Sequence, residues 1–489
     1  MVIESALPLL PIGIVLIVSL LIMVSGKRPN LREFWSIAGS VLTFISVAAM
    51  VPTIWNGGRI VYTLSQIAPG INLNFRVDAL SLIFGIVSSF LWIFASIYNI
   101  GYMRSLNEHA QTRYYTCFAA AIVGAQGVSY SGGLFSLYLF YEIITLVTYP
   151  LVAHHQDEEG YAGAKKYLVY LMGTSKGFLL PALILTYVMT GTLDFADNIR
   201  TGIFPAAANH LWITITYVLF IAGFAKAAVM PFHNWLPSAM VAPTPVSALL
   251  HAVAVVKAGV FCISRVMLST FGTNCLQELG IGLITAYVVS FTILAASIIA
   301  LTKDDLKARL AYSTVSQLSY IILGVALLDN TGVLGGIIHI VNHGFSKITL
   351  FFCAGAIYVA HHKKKISDMA GIGYAMPFTM GAFALASLSM IGAPPVAGFV
   401  TKWYLLNGAL EIKNIPILIV LMASTLLNAG YFIPITIRAF FQGNKERWSK
   451  SDIQEAPMTM VVPLVLASLI SLLLGVYPDF FVGLIGKLF

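Results

Sequence analysis

Residues 223–251 read GFAKAAVMPFHNWLPSAMVAPTPVSALLH, and this stretch carries the strongest structural signal in the chain. It places Lys226 in an apolar run, five residues before Pro231. Proline removes a backbone donor and kinks a helix. In lipid, such a break persists only where protein or a water-lined cavity takes up the freed backbone groups. A charge beside a helix break therefore predicts a buried functional position in a membrane-embedded domain.

The composition around this stretch is that of a membrane protein. Of 489 residues, 58% are hydrophobic and 10% are charged, whereas soluble proteins carry roughly 25% charged residues. Apolar runs of about 20 residues, each long enough to cross a bilayer, recur from end to end. We therefore predict an all-α integral membrane fold with about 14 transmembrane helices in a single polytopic domain, residues 1–489. The predicted spans lie near 6–24, 35–54, 78–99, 114–130, 134–153, 166–190, 211–230, 243–268, 279–301, 310–328, 332–360, 375–408, 414–440 and 458–486.

Two of these spans are predicted to be discontinuous. Span 7 ends at Pro231, and residues 392–395 of span 12 read Gly-Ala-Pro-Pro. Between spans 2 and 3, residues 56–75 mix polar and apolar side chains. We expect this segment to form a hairpin outside the membrane.

The distribution of basic residues predicts the orientation. Loops after odd-numbered spans hold sixteen lysines and arginines, including Lys445, Arg447 and Lys450, whereas the other loops and the C-terminal tail hold five. Basic loops face the cytoplasm, so both termini of this cell (inner) membrane protein are predicted outside. The same rule explains the net charge of +8 without a nucleic-acid partner.

Redox cofactors have no visible motif in the chain. The four cysteines are scattered, and no CxxC pair exists to support a disulfide framework or an iron–sulfur site. Flavin and quinone motifs are equally missing from the sequence. We predict no bound cofactor and no catalytic site, so any electron transfer would occur elsewhere in a larger complex.

The chemistry is expected at ionisable side chains inside the apolar spans. Each such charge at a helix centre costs about 2.5–3.5 kcal/mol on the insertion scale, and these groups are functional candidates by default. The candidates are Glu142 in span 5, Lys176 in span 6, Lys226 in span 7, His251 and Lys257 in span 8, His339, His343 and Lys347 in span 11, and Lys402 in span 12. The three in span 11 step by four residues and so share one helix face.

The residue types favour proton transfer. A buried lysine and a histidine can each gain and lose a proton near neutral pH. A carboxylate close to a lysine favours the charged lysine, and its withdrawal favours the neutral one. A glutamate–lysine pair is therefore a switchable proton holder, and a series of lysines and histidines linked by water can act as a relay.

Several candidates also have a structural interpretation. Lys176 and Lys402 could extend to a membrane interface, and Glu142 with Lys226 could be a structural buried pair. His251 and Lys257 are six residues apart, so they share a face only if the helix breaks locally.

Other polar residues are assigned structural roles. A zinc site at the two histidines of span 11 is disfavoured because no third ligand lies nearby in sequence, and we predict no metal site. Asp78 is predicted to cap span 3. Four loop histidines are predicted to be solvated: His154, His155, His361 and His362.

Three motifs resemble one family. Residues 223–251, residues 305–317 (DLKARLAYSTVSQ) and the series from His339 to Lys347 are similar to motifs of the antiporter-like subunits of respiratory complex I and of Mrp-type multisubunit Na⁺/H⁺ antiporters. The resemblance covers nearly the whole chain. We expect it to be closest to the D-type subunit of Mrp complexes and to the related subunits of membrane-bound hydrogenases.

The resemblance implies an architecture and a role for each site residue. The architecture is two inverted five-helix repeats, residues 114–268 and 279–440, flanked by residues 1–99 and 458–486, with the discontinuous helices in spans 7 and 12. The implied roles are Glu142 as the acidic partner, Lys226 as the central switch, His251 and Lys257 as the connection to the second half, His339, His343 and Lys347 as its continuation, and Lys402 as the terminal group. Two departures are Tyr141, where the family often has tryptophan, and Lys176, which has no implied role.

The predicted function is proton translocation by one subunit of a redox-driven or multisubunit antiporter complex. The parent complex would be an NADH:quinone oxidoreductase-like enzyme, a hydrogenase or a cation/proton antiporter. Its partners would be other antiporter-like and small helical membrane subunits, the lipid bilayer, protons and Na⁺. Two alternatives stay open: Na⁺/H⁺ exchange by an Mrp-type complex, and a non-pumping membrane scaffold for redox subunits.

Overall fold

The computed structural model describes residues 2–442 and 453–489 and is mostly helical. Lys445, Arg447 and Lys450, which the orientation prediction counts, lie outside the described residues. The helices up to residue 278 are α1 (Leu9–Val24), α2 (Pro29–Ala48), α3 (Val51–Trp55), α4 (Ala79–Ser105), α5 (Gln111–Tyr130), α6 (Leu134–Val152), α7 (Glu158–Thr174), α8 (Leu180–Thr190), α9 (His210–Gly223), α10 (Trp235–Ser238), α11 (Thr244–Ala248), α12 (Val255–Val266) and α13 (Thr273–Glu278). The later helices are α14 (Ile281–Thr302), α15 (Leu306–Ala326), α16 (Asn330–His361), α17 (Ile372–Ala375), α18 (Pro377–Ile391), α19 (Ala397–Glu411), α20 (Ile415–Phe441), α21 (Met458–Val476) and α22 (Asp479–Gly486).

The helices have the length and composition of membrane spans. Within residues 2–442 and 453–489, nine helices are long and apolar enough to cross a bilayer, and three shorter apolar helices, α1, α9 and α18, accompany them. The predicted spans 4 and 10 form α5 and α15, of 20 and 21 residues. Both are largely buried against other helices. Because little of their surface is left to face lipid, these two spans can be less apolar than the outer helices.

The predicted hairpin between spans 2 and 3 is present, and its location outside the membrane stays a prediction. Strands β2 (Arg59–Ala68) and β3 (Ile71–Val77) pair antiparallel, and β1 (Val2–Glu4) adds a parallel edge to β2. Gly70 forms the turn with a positive φ of 72°. The last residues of β3 are buried, so the small sheet is anchored where α4 begins.

Two helical segments form the core. The segment Thr244–Phe271, which contains α11 and α12, is entirely buried in its apolar window, and so is α16. α16 contacts α4, α15, α18, α19 and α21. The side chains of these two segments are therefore surrounded by protein, and the remaining apolar helices supply the outward-facing surface.

The first helix break begins after Gly223, eight residues before Pro231. α9 ends at Gly223, and Lys226 lies in a short 3₁₀ turn, Ala225–Ala227, between α9 and α10. Span 7 is discontinuous, as predicted, but its helix ends before residue 230, so Lys226 lies in the break itself. Trp235 donates its indole N–H to the Ala225 carbonyl at 2.9 Å, which satisfies a backbone group that the break leaves free.

The second predicted break lies between α18 and α19, as the Gly-Ala-Pro-Pro sequence indicates. Gly392 ends α18 with φ +87°. A Cβ at this glycine would lie 2.4 Å from the side chain of Lys402. The break therefore needs glycine both for its backbone conformation and for the close approach of the lysine.

Candidate functional site

Glu142 lies in α6 in a cluster with residues of the next helical segment. Its carboxylate accepts a short hydrogen bond from the Ser175 hydroxyl and lies 3.3 Å from Nζ of Lys176. Lys176 also donates to the Tyr138 hydroxyl at 2.6 Å. Ser175 and Lys176 belong to a π-helical turn, Ser175–Leu179, which connects α7 to α8. Lys176, whose role the sequence left open, is therefore the ion-pair partner of Glu142 in this structure.

Lys226 contacts Tyr141, the residue that precedes Glu142 in α6. Its side chain is fully buried, and its Nζ donates to the Tyr141 carbonyl at 2.5 Å and lies 3.1 Å from the centre of the Tyr141 ring. An ammonium over an aromatic face gains about 2 kcal/mol or more when desolvated. The structure thus brings Lys226 to the glutamate region of α6 but pairs Glu142 with a different lysine.

The helix is irregular between His251 and Lys257, which is the condition that their spacing set. The turn Leu249–Val253 is π-helical, and the regular helix α12 starts only at Val255. His251 Nδ1 lies 2.9 Å from the Thr314 hydroxyl on α15. Lys257 Nζ lies 2.9 Å from Nδ1 of His343 on α16. Side chains from both parts of the chain therefore meet in the buried core.

The face of α16 continues this series. The rings of His343 and His339 have centroids 5.5 Å apart, and His339 Nδ1 lies 3.2 Å from the Thr401 hydroxyl on α19. Asn342 donates to the same hydroxyl at 2.9 Å. The spacing of four residues predicted from the sequence does align these groups, and Thr401 links them to the start of α19.

Lys347, one turn further on, enters a polar group that the sequence analysis did not identify. Its Nζ donates to the Ser313 hydroxyl at 3.0 Å, and Ser313 also accepts from the Tyr431 hydroxyl at 3.3 Å. The Tyr431 hydroxyl lies 2.5 Å from Oδ1 of Asn428 on α20. Ser313 lies within the second motif, residues 305–317, so the motif itself was the available signal.

Lys402 ends the row near a surface cavity. Its Nζ donates to the Ile391 carbonyl at 2.5 Å, which the helix break leaves free, and to the Thr425 hydroxyl at 2.7 Å. The ammonium lies 5.6 Å from the centre of the Tyr320 ring. A cavity of about 260 Å³ opens beside it, lined by Lys402 and residues of α19 and α20. Lys402 is 9% exposed, so it is a buried group beside a cavity that opens at the surface.

Asp78 at the start of α4 belongs to a buried ion-pair network, whereas the sequence analysis predicted only a helix cap. Asp78 caps α4 through the Ser81 N–H at 3.0 Å, as predicted. It also binds Arg265 of α12 through two hydrogen bonds of 2.7 and 2.8 Å and lies 3.1 Å from Arg76. Arg265 follows Lys257 by eight residues in the same apolar run, so the intramembrane charge rule already applied to it.

The prediction that His154 is solvated is wrong. Its side chain is fully buried in the loop between α6 and α7, because the rings of Tyr114 and His109 cover it. His155 and His362 are exposed, as predicted.

Comparison with known proteins identifies the family. Residues 131–428 match the family described as NADH:quinone oxidoreductase/Mrp antiporter, TM, and this segment contains every residue of the buried row. The chain belongs to this family. The resemblance drawn from the three motifs is thereby confirmed.

Three relatives illustrate the range of this antiporter-like family. NADH-quinone oxidoreductase subunit N of Desulforudis audaxviator is 31% identical over 489 residues, which cover 97% of this chain and 96% of the relative. An Na(+)/H(+) antiporter subunit of Alkalihalophilus pseudofirmus is 30% identical over 86% of this chain and 55% of its own length. A probable K(+)/H(+) antiporter subunit of Rhizobium meliloti is 29% identical over 91% and 44%. The chain spans about half the length of these two antiporter proteins, and the expected D-type similarity stays a prediction.

Solved structures agree with the antiporter-like fold. A chain of the Mrp complex from Dietzia sp. DQ12-45-1b matches with a TM-score of 0.87 and 22% identity, over 99% of this chain and 96% of that one. A chain of the membrane-bound sulfane sulfur reductase, an archaeal respiratory membrane complex, matches with a TM-score of 0.87 and 23% identity, over 99% and 97%. The protein is thus an integral membrane protein with the fold of these subunits.

Proposed function

We propose that this chain translocates protons across the membrane as one subunit of a multisubunit complex. The observation that carries the proposal is the 2.9 Å contact between Lys257 on α12 and His343 on α16. This contact joins ionisable groups of the first half of the chain to those of the second half. The proposed relay residues are Glu142, Lys226, His251, Lys257, His339, His343, Lys347 and Lys402.

The histidines of the row are suited to pass protons through water. Each of His251, His339 and His343 uses Nδ1 in a polar contact. The Nε2 atoms of all three are buried and make no hydrogen bond within the described part of the chain. Because buried polar atoms normally have a partner, bridging water molecules would complete a path along the row.

Exchange of the Glu142 partner would drive the switch. Glu142 pairs with Lys176 in this structure, while Lys226 binds the preceding carbonyl. An opposite charge at about 4 Å is worth about 4 kcal/mol at an effective dielectric constant of 20. Moving one charge across 100 mV costs about 2.3 kcal/mol. Bringing Glu142 to Lys226 and withdrawing it again is therefore sufficient to move one proton from Lys226 towards Lys402.

The proposed architecture follows from the two helix breaks. They lie at Lys226, between α9 and α10, and beside Lys402, between α18 and α19. Broken helices in corresponding positions are typical of inverted repeats. We assign the repeats to residues 114–268 and 279–440 of a bundle that crosses the membrane 14 times, with both termini outside. The partners would be membrane subunits like those of the Mrp and sulfane sulfur reductase complexes.

Two other functions compete with this one. The antiporter relatives carry Na⁺/H⁺ and K⁺/H⁺ in their names, which favours cation/proton exchange by the parent complex. A cation at mid-depth needs oxygen ligands. Within the described residues the buried carboxylates are Glu33, Asp78 and Glu142, and an arginine or a lysine already engages each of them. A non-pumping scaffold would not need eight ionisable residues in its buried interior.

The decisive experiment is proton pumping by the assembled complex in inverted vesicles. Lys226→Met retains most of the side-chain volume and removes the charge. The control is Lys487→Ala, which removes the charge of an exposed lysine. We expect pumping to be lost in the first variant, retained in the control, and assembly to be unchanged in both.

Unchanged pumping by Lys226→Met would contradict the relay and favour the scaffold. The same vesicles separate the two transport functions. Proton pumping without Na⁺ supports proton translocation. Pumping that requires Na⁺, with uptake of labelled Na⁺ that Lys226→Met abolishes, supports cation/proton exchange.

A further inference from the structure

A second cluster of ionisable groups lies far along the chain from the breaks, where two loops meet. The α4–α5 loop supplies Glu108 and His109, and the α6–α7 loop supplies His154 and its neighbour His155. The donor atoms of Glu108, His109 and His154 all lie within 4.8 Å of one another. His154 Nε2 is 3.5 Å from Oε2 of Glu108, and His155 Nδ1 is 3.8 Å from the same oxygen.

The buried imidazole of His154 is the observation that points to a ligand. The side chain is fully buried, yet neither of its ring nitrogens makes a hydrogen bond within the described residues. Buried polar groups normally have a partner. The ring is held in place by contacts with Tyr114 and His109, and the His154 carbonyl accepts from Arg113 at 2.9 Å.

We propose that Glu108, His109 and His154 bind one divalent transition-metal ion of the zinc type. Two imidazole nitrogens and one carboxylate oxygen form a common zinc donor set, with a fourth position left for water or for His155. Zinc bonds of about 2.0–2.2 Å in a tetrahedron require donor atoms roughly 3.3 Å apart. The donor atoms therefore need to approach one another by up to about 1.5 Å, which the exposed His109 side chain can achieve by rotation.

The ion has a route to this site. Glu108 and His155 also line a cavity of about 690 Å³ that opens at the surface, together with Asp157 and Glu159. Three lysines and a further carboxylate, Asp305, also line this cavity, so the donor set at its edge, and not the charge of the cavity, would select the ion. The Glu108 backbone is fixed by its N–H to Met103 at 3.0 Å, so the carboxylate is presented at a defined position. A bound ion would tie the α4–α5 loop to the α6–α7 loop, a consequence that is independent of proton translocation.

The test uses the purified full-length chain in detergent after removal of metals with a chelator. Zn²⁺ binding is measured by competition with a chromophoric chelator, and Co²⁺ is added separately to detect the absorption of a tetrahedral site. We expect one Zn²⁺ per chain, a rise in the melting temperature on binding, and visible Co²⁺ bands. Glu108→Gln and His109→Ala should each weaken Zn²⁺ binding by about 100-fold or more.

The control is His362→Ala, which removes an exposed loop histidine outside the cluster and should leave binding unchanged. His154→Ala should abolish the Co²⁺ bands. If burial makes that variant unstable, the exposed His109 provides the same test without a folding defect. Zn²⁺ binding that survives in the Glu108→Gln/His109→Ala double variant, or that is lost equally in His362→Ala, would overturn the assignment.

Discussion

Replacement of Gly259 by alanine is expected to displace the turn that holds Lys226. Gly259 lies in α12, and a Cβ built there would meet the Ala227 nitrogen at 2.3 Å and the Lys226 carbonyl carbon at 2.4 Å. Both atoms belong to the backbone, so no side chain can rotate away. Normal contact needs about 3.5 Å or more, so the turn would have to move by roughly 1 Å.

The energetic effect has two opposing contributions. Alanine in a helix interior is favoured over glycine by about 1 kcal/mol, whereas overpacking of a close-packed core costs about 1–3 kcal/mol. We therefore expect a net destabilisation of at most about 2 kcal/mol, which the folded protein should tolerate. The functional effect should be larger, because a shift of roughly 1 Å at a catalytic or transport group can cost about 100-fold.

The matched control is Gly381→Ala in α18, where an added Cβ meets nothing within 4 Å. Thermal unfolding in detergent and proton pumping in vesicles should be measured for both variants. We expect Gly381→Ala to be slightly stabilised with normal pumping, and Gly259→Ala to lose most of its pumping. If Gly259→Ala is as stable as the control and pumps normally, the close approach of α12 to the Lys226 turn does not matter, and the reasoning fails.

Three further predictions concern other parts of the structure. Asp78→Asn should keep the α4 cap but leave Arg265 unpaired, at a cost of about 3–5 kcal/mol in detergent unfolding, and Arg265→Met in the same chain should recover much of it. In the loop before α16, burial and the neighbouring Glu411 raise the pKa of Asp329 to about 6. The folded state therefore retains a proton that the unfolded chain releases near pH 4, so melting temperature should fall as pH rises from 4 through 6, except in Asp329→Asn. Ser313→Ala should slow proton pumping in vesicles while changing stability by no more than about 1–3 kcal/mol; normal pumping would exclude this hydroxyl from the relay.

Much of the fold was predictable because its signals are local. Apolar length indicated the helices, and the proline and glycine residues near Pro231 and Gly392 indicated both discontinuous spans. The first break lies earlier in the chain than the predicted position at Pro231. The helix ends at Gly223, and Ala228 adopts a left-handed conformation (φ 55°), so the chain leaves the helix before it reaches the proline. An apolar sequence with a single lysine carries no strong local signal for such a turn.

The partners of the site residues were less predictable, because they depend on contacts between distant parts of the chain. The shared helix face of the three ionisable residues in span 11 could be predicted from their spacing of four residues. The pairing of Glu142 with Lys176 required knowledge of the π-helical turn at Ser175–Leu179, and the burial of His154 required the α4–α5 loop to fold over it. The buried Arg265, by contrast, could have been identified from the sequence, because a charged residue inside an apolar span is a functional candidate.

The length of α16 has a consequence for the bilayer. With 32 residues it is about 48 Å long, whereas the hydrocarbon core is about 30 Å thick. A lipid-facing helix of this length would suffer a mismatch and respond by tilting or by distorting the membrane. Because the apolar window of α16 is entirely enclosed by other helices, lipid thickness exerts no direct force on it. The spacing of its three ionisable side chains should therefore stay constant in membranes of short or long acyl chains, while the outer helices adapt.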